Sequence, residues 1–311
     1  MSEALKIPSR AGDILLDVPG EYVSPGWRDY AMLVKLRLTS LVMASVATGF
    51  WMTSAARRSA ALFWPLLFGA FLVIGGANAW NEIIERDTDA KMKRTAVRPL
   101  PCGRMQISHA RWVATSMAVV GISALALFVN PLTALLGAAG FALYVFAYTP
   151  MKRISPWCVA VGAFPGAIPA LMGAAAAENR ITPLGLVLFG IVLLWQFPHF
   201  CSIAWLARDD YGSAGLKMVF FPETGRFTAY QILLGSCGLF AVSPLLSVLK
   251  FAGTYYLIGS YALGILMLSC ACGFWLNHNR RNAREMMGIA LLYLPLLYLL
   301  MLLDKVALPW Q

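Results

Sequence analysis

Ala61-Leu-Phe-Trp-Pro-Leu-Leu-Phe-Gly-Ala-Phe-Leu-Val-Ile-Gly-Gly-Ala-Asn-Ala-Trp-Asn81-Glu-Ile-Ile-Glu85-Arg-Asp-Thr-Asp89 is an apolar run that ends in acid. No charge interrupts it before Glu82. A helix needs about 20 predominantly apolar residues to cross roughly 30 Å of hydrocarbon. Lipid tolerates only helices or closed barrels, because every backbone polar group must be satisfied internally. The run shows no strand-like alternation, so it predicts a transmembrane helix.

Further runs of the same kind cover 38–53, 112–128, 132–148, 158–177, 184–206, 228–249, 254–276 and 287–303. With 61–84 they predict an all-α, polytopic membrane protein of about nine transmembrane helices. Composition agrees. Of the 311 residues, 59% are hydrophobic and 13% charged, whereas a soluble domain carries about 25% charged residues. So few charges leave most of the outer surface to lipid. Residues 1–30 are polar and mixed, and read as a cytoplasmic tail; 31–311 read as one transmembrane domain. The tail has no apolar core or small-residue cleavage site of a signal peptide. It also lacks the Arg- and Ser-rich, acid-poor character of a transit peptide.

The net charge of +10 follows from topology rather than from nucleic-acid binding, for which no pattern is present. Most Lys and Arg residues lie in the N-terminal segment and in the connections after the second, fourth, sixth and eighth runs. The other set of connections holds only Arg57, Arg58, Arg180, Lys250 and Lys305. Positive charge marks the cytoplasmic side, which places the N-terminus and the long charged connections there. The six cysteines, Cys102, Cys158, Cys201, Cys237, Cys270 and Cys272, form no CxxC pair. They read as reduced residues rather than a disulfide or zinc framework. No P-loop, GxGxxG, GxSxG or HExxH pattern occurs.

Asn81, Glu85 and Asp89 stand at i, i+4 and i+8, so a helix places them on one stripe. Acids at a membrane boundary are expensive unless partnered. Mg²⁺ is a natural partner, because it takes oxygen ligands and is commonly held by one or two carboxylates together with substrate phosphates. Lys91, Lys93, Arg94 and Arg98 follow closely, and acid mixed with base suggests a metal-bridged diphosphate. A solvated helix end is the competing reading. A second cluster, Asp209 and Asp210, follows the sixth run, four spans later, and suggests a helical duplication with two acidic sites facing each other. Asp87 is off the stripe and would reach it only if the helix frayed. His109 and His278 fall in polar connections and read as solvated. His199 lies within a span beside Pro198 and needs a partner there. Gly162 to Ala170 reads as close helix packing with a kink.

The stretch Asn81 to Pro101 resembles the first acidic motif of UbiA-type membrane prenyltransferases. Met92-Lys-Arg-Thr95 and Arg98-Pro-Leu-Pro101 are similar to the branch that farnesylates haem. Lys35-Leu36-Arg37, Tyr148-Thr-Pro-Met-Lys-Arg153, Phe164-Pro-Gly-Ala-Ile-Pro169, Trp195-Gln-Phe-Pro-His-Phe200, Arg208-Asp-Asp-Tyr211 and Tyr293-Leu-Pro-Leu-Leu297 extend the likeness over about Met32 to Asp304. The resemblance implies nine helices around a central cavity and Mg²⁺ as cofactor. It implies haem b and farnesyl diphosphate as substrates, and haem o plus diphosphate as products. By position, Asn81, Glu85, Asp89 and Asp210 would be catalytic and metal-binding, with Asp209 as a further metal ligand. Lys35, Arg37, Arg94, Arg98, Lys152 and Arg153 would bind diphosphate, and His199 would contact haem or a trapping water. A bacterial inner membrane and a downstream haem a synthase or terminal oxidase assembly would be the setting. Glu85 stands where the family usually has Asp, Leu36 replaces a common Pro, and Lys217 interrupts a usually apolar stretch. A prenyltransferase for an aromatic acid or quinone precursor, a transporter using the same acids, and a non-catalytic haem-binding assembly factor are the alternatives.

Overall fold

The computed structural model describes residues 25–53, 60–217 and 225–306. Most of the N-terminal tail, with Lys6 and Arg10, lies outside these residues, as do Arg57 and Arg58. Among the described residues the protein is helical, with one isolated β-bridge between Ala252 and Lys305.

A short helix α1 (Trp27–Leu33) begins inside the segment read as tail and runs into α2 (Leu36–Met52). Together they make one apolar span bent by 53°. The bend is at Lys35, which adopts a left-handed conformation with φ 49°. Then follow α3 (Phe63–Asp89), α4 (Ile107–Phe128) and α5 (Pro131–Ala142). The fifth continues through a π-helical segment, Leu143–Tyr148, into α6 (Thr149–Met151). After these come α7 (Cys158–Glu178), α8 (Pro183–Leu206) and the single-turn α9 (Arg208–Ser213). The last group is α10 (Arg226–Val242), α11 (Leu245–Val248), α12 (Thr254–Leu276) and α13 (Arg280–Leu303). Eight of these segments are long and apolar enough to cross a membrane singly, and the bent α1–α2 pair makes nine. The protein is an integral membrane protein with the expected number of spans.

The helix starts carry local signals. Asn130, Thr182 and Asn279 accept from the backbone N–H groups of Thr133, Gly185 and Asn282, capping α5, α8 and α13. Lipid-facing side chains such as Leu127, Phe146, Tyr255 and Leu303 remain exposed. The apolar effect therefore does not choose one helix face, and close packing holds the bundle together.

Close packing centres on α7, the most buried of the eight single spans, at Ala170 in the stretch read as a packing site and at Gly173 just beyond it. A Cβ on Gly173 would stand 2.0 Å from the Val46 carbonyl oxygen, and one on Gly49 2.2 Å from that of Ala170. Only glycine allows α2 and α7 to approach so closely. Pro165 and Pro169 lie inside α7, and the Gln196 amide of α8 donates to the nearby Ala163 carbonyl at 2.8 Å. The helix α8 runs through Pro198 unbroken. The two ends of the chain's helical part are joined as well. Tyr298 on α13 donates to Ser45 on α2 at 2.9 Å, and the Lys305 ammonium donates to the Trp51 and Thr53 carbonyls.

Candidate active site

The helix α3 extends past the apolar run to Asp89, so the predicted stripe lies on continuous helix. Asp87 is correspondingly no ligand by fraying: it is exposed and pairs with Arg86 at 2.7 Å. Asn81, Glu85 and Asp89 are all buried. Each faces a cation from a different connecting segment. The Lys35 ammonium, from the α1–α2 bend, donates to Asn81 Oδ1. Lys152, just after α6, lies 2.7 Å from Glu85 Oε1. Arg98, from the α3–α4 connection, reaches Asp89 Oδ2 at 2.5 Å.

Local hydrogen bonds explain how those segments reach the stripe. The Asp89 carbonyl accepts from the Thr95 hydroxyl at 2.9 Å, which folds the connection back over the end of α3. Asn81 Nδ2 donates to Thr149 Oγ1 at 3.1 Å, and the Tyr144 hydroxyl donates to Asn78 at 3.2 Å. These two bonds dock the π-helical segment and α6 against α3. A π-helical turn shifts the register of the residues after it, and Lys152 follows within one turn of α6. Lys152 also sits over the Tyr148 ring, 4.6 Å from its centre. Burial pulls the Lys152 pKa down, but the Glu85 carboxylate more than offsets this and holds the ammonium above the usual lysine value.

Sequence reasoning missed Glu82. It is fully buried, and neither carboxylate oxygen has a hydrogen-bond partner. Next to Asn81 it reads as off the stripe, yet it stands three residues before Glu85 and seven before Asp89. That spacing shares a helix face and was the available signal.

The remaining predicted residues are spread more widely. Arg153 donates to the Ile84 carbonyl and the Thr88 hydroxyl, and so braces α3 from its exposed side. Arg94 reaches the Tyr211 hydroxyl at 3.4 Å, which links the first acidic motif to the second. Arg37 is exposed on α2. Asp210 is half-buried in α9. Asp209 has a side chain 72% exposed and pairs with Arg280 of α13 at 2.7 Å, so the two neighbouring acids face different surroundings. His199 stacks on Trp195 with ring centres 4.5 Å apart, and its Nδ1 has no hydrogen-bond partner. His109 and His278 are half-buried rather than solvated: the first bonds to the Tyr30 hydroxyl at 2.7 Å, and the second packs against Trp205 and Phe274.

The donor set on α3 is an amide and carboxylates, which suits a hard cation that prefers oxygen. Among the described residues no three His, Cys, Asp or Glu side chains converge tightly enough to hold a metal by themselves. That arrangement fits Mg²⁺ taken together with a phosphate-bearing substrate, its usual mode of binding. The fully buried, unpaired Glu82 carboxylate also fits a site that receives positive charge.

The protein is thus a helical membrane bundle whose buried acids and bases converge at one helix end. Residues 42–297 match the UbiA prenyltransferase family, and the chain belongs to that family. A protoheme IX farnesyltransferase of Koribacter versatilis (strain Ellin345) is 38% identical over 307 residues, covering 93% of this chain and 97% of the relative. Another, of Solibacter usitatus (strain Ellin6076), is 40% identical over 289 residues, with 89% and 99% covered. Solved structures share the fold. A digeranylgeranylglyceryl phosphate synthase matches with TM-score 0.75 at 17% identity, over 90% of this chain and 99% of its own. A UbiA homolog from Archaeoglobus fulgidus, bound to DMAPP and Mg²⁺, matches with TM-score 0.60 at 14% identity, over 88% and 99%.

Proposed function

We propose that this protein transfers the farnesyl group of farnesyl diphosphate to a vinyl group of haem b, with addition of water, giving haem o and diphosphate. The observation that carries this reading is the buried stripe of Asn81, Glu85 and Asp89 on α3, each faced by a basic side chain, in a chain similar along nearly its full length to protoheme IX farnesyltransferases. Mg²⁺, bound with the substrate, would lie against Asn81, Glu85 and Asp89 and supply charge neutralisation of the diphosphate. Lys35, Arg98 and Lys152 bind the remaining phosphate oxygens and stabilise the charge that grows as the leaving group departs. Arg94 and Arg153 hold the surrounding connections. Asp210 serves the second side of the site.

In the reaction the C1–O bond of the allylic substrate breaks, and its electron pair leaves with diphosphate. The terminal vinyl carbon of haem forms the new bond to C1. Water adds to the resulting cation beside the macrocycle and loses a proton. Asn81, Glu85 and Asp89 are buried, which keeps bulk water from the first cation. Water as the trapping nucleophile at a stabilised cation needs no strong general base. His199, with a free Nδ1 inside the span, orients haem or the trapping water. We place the reaction at the cytoplasmic face of a bacterial inner membrane, with the residues before α1 as a cytoplasmic tail, a shorter one than the sequence suggested. The product would pass to a haem a synthase or a terminal oxidase assembly.

The test is acceptor choice. Purified protein is incubated with farnesyl diphosphate and Mg²⁺, with haem b in one tube and an aromatic acid in another, and the products are weighed by mass spectrometry. Haem carrying one farnesyl group and one water is the expected product. Unchanged haem beside a prenylated aromatic acid would overturn the haem assignment.

A further inference from the structure

Each proposed ligand position on α3 is already covered by a basic side chain of the protein itself. Lys35 lies on Asn81, Lys152 on Glu85 and Arg98 on Asp89. The three ligand residues ride on one continuous helix, whereas the three cations come from the α1–α2 bend, the α3–α4 connection and the turn after α6. The acids therefore share one helix, and each cation is brought to them by a separate segment. We propose that Lys152 and Arg98 are exchangeable counter-cations, and Lys35 an exchangeable donor on the neutral Asn81 amide, each moving from its α3 partner to a diphosphate oxygen when metal and diphosphate arrive together. This rests on the reading above that the first motif binds metal and diphosphate.

The physical reason is charge conservation in a buried place. A metal arriving alone must evict a cation from a carboxylate and leave that cation buried without a counter-ion, which is strongly unfavourable. Diphosphate arriving alone meets the carboxylates with their cations still engaged. When both arrive, the metal takes the acids and the anion takes the cations, so every buried charge keeps a partner. Glu82 completes the arrangement. Its carboxylate is fully buried without a side-chain hydrogen-bond partner, and Arg98 and Lys35 both act on it electrostatically. It keeps both cations at the site after they leave Asp89 and Asn81. The exchange makes metal and diphosphate bind with positive coupling, and it makes the chain's own cations competitors of the metal.

The probe is Mn²⁺, an oxygen-preferring stand-in for Mg²⁺. Free Mn²⁺ is measured by electron paramagnetic resonance with the full chain in detergent, with and without inorganic diphosphate. Wild-type protein should bind Mn²⁺ weakly alone and on the order of ten-fold more tightly with diphosphate. Arg98→Met removes a competitor, so Mn²⁺ alone should bind on the order of ten-fold more tightly than in wild type, and diphosphate should add little. Lys152→Met should behave likewise; because it opens a separate pair, it carries the test if the other variant fails to fold. Mn²⁺ affinity at or below the wild-type level in the folded variants would overturn the exchange. Undiminished Mn²⁺–diphosphate binding by Asp89→Asn would instead remove the site from the first motif and leave the exchange without a place.

Discussion

The two acidic motifs look alike in sequence and differ in the folded chain. Each follows an apolar span, and four spans separate them. The first stays on the helix that carries it: α3 runs unbroken to Asp89, and the α3–α4 connection folds over its end, so its acids are buried against cations. The second starts a new single-turn helix after a break at Ala207, and its acids diverge. Asp209 turns outward to Arg280, while Asp210 stays half-buried. Similar composition at the end of a span therefore gives a charged site only where a connection returns to bury it.

The contrast can be broken in several ways, beginning with the largest effect. Chelating the divalent metal should abolish farnesyl transfer, by at least about a hundredfold, since a bound metal contributes several kcal/mol of charge stabilisation. Added Mg²⁺ should restore the rate, followed by chromatography of extracted haem. Transfer that survives exhaustive chelation would deprive the first motif of its role. Asp210→Asn should lower the rate by about 10- to 100-fold, the usual effect of losing a supporting polar group at a metal site. A wild-type rate would leave the second motif no part in the chemistry.

Gly173→Val acts on the scaffold that both motifs share. Its new Cβ meets the Val46 carbonyl, so α2 and α7 must separate. Overpacking of this kind costs about 1–3 kcal/mol. A lower thermal unfolding temperature in detergent is expected, with whatever enzyme remains folded keeping its metal requirement. Asp209→Asn should have the smallest effect. Exposed ion pairs contribute roughly 0.2–1 kcal/mol, so the rate should change by less than about fivefold. A loss as large as that of Asp210→Asn would show that the outward acid takes part after all.

Much of this was legible in the residues. The spans were, because lipid demands long uninterrupted apolar runs, and α12 begins and ends where its run does. The stripe of Asn81, Glu85 and Asp89 was, because helical geometry fixes side-chain direction from spacing alone. The pairing of Lys152 with Glu85 was not: it depends on a π-helical turn that no residue pattern announces. Arg98 is nine residues from Asp89, and only the folding back of the connection through Thr95 brings the two together. The inequality of Asp209 and Asp210 was also hidden, because it is set by Arg280 on a distant helix. His278 shows the same limit from the other side. Its polar surroundings in sequence suggested water, but Trp205 and Phe274 cover it.

The most direct measurement is farnesylated haem formed per mole of Asp89→Asn protein, by mass spectrometry, with insertion and helix content checked in the same preparation. The variant keeps the shape of the side chain and removes the charge opposite Arg98. Turnover should fall by about 10²- to 10³-fold, the range for losing a preorganised charge-stabilising group, while the protein remains folded. A folded Asp89→Asn protein that turns over at the wild-type rate would contradict the assignment of the leaving group to the end of α3.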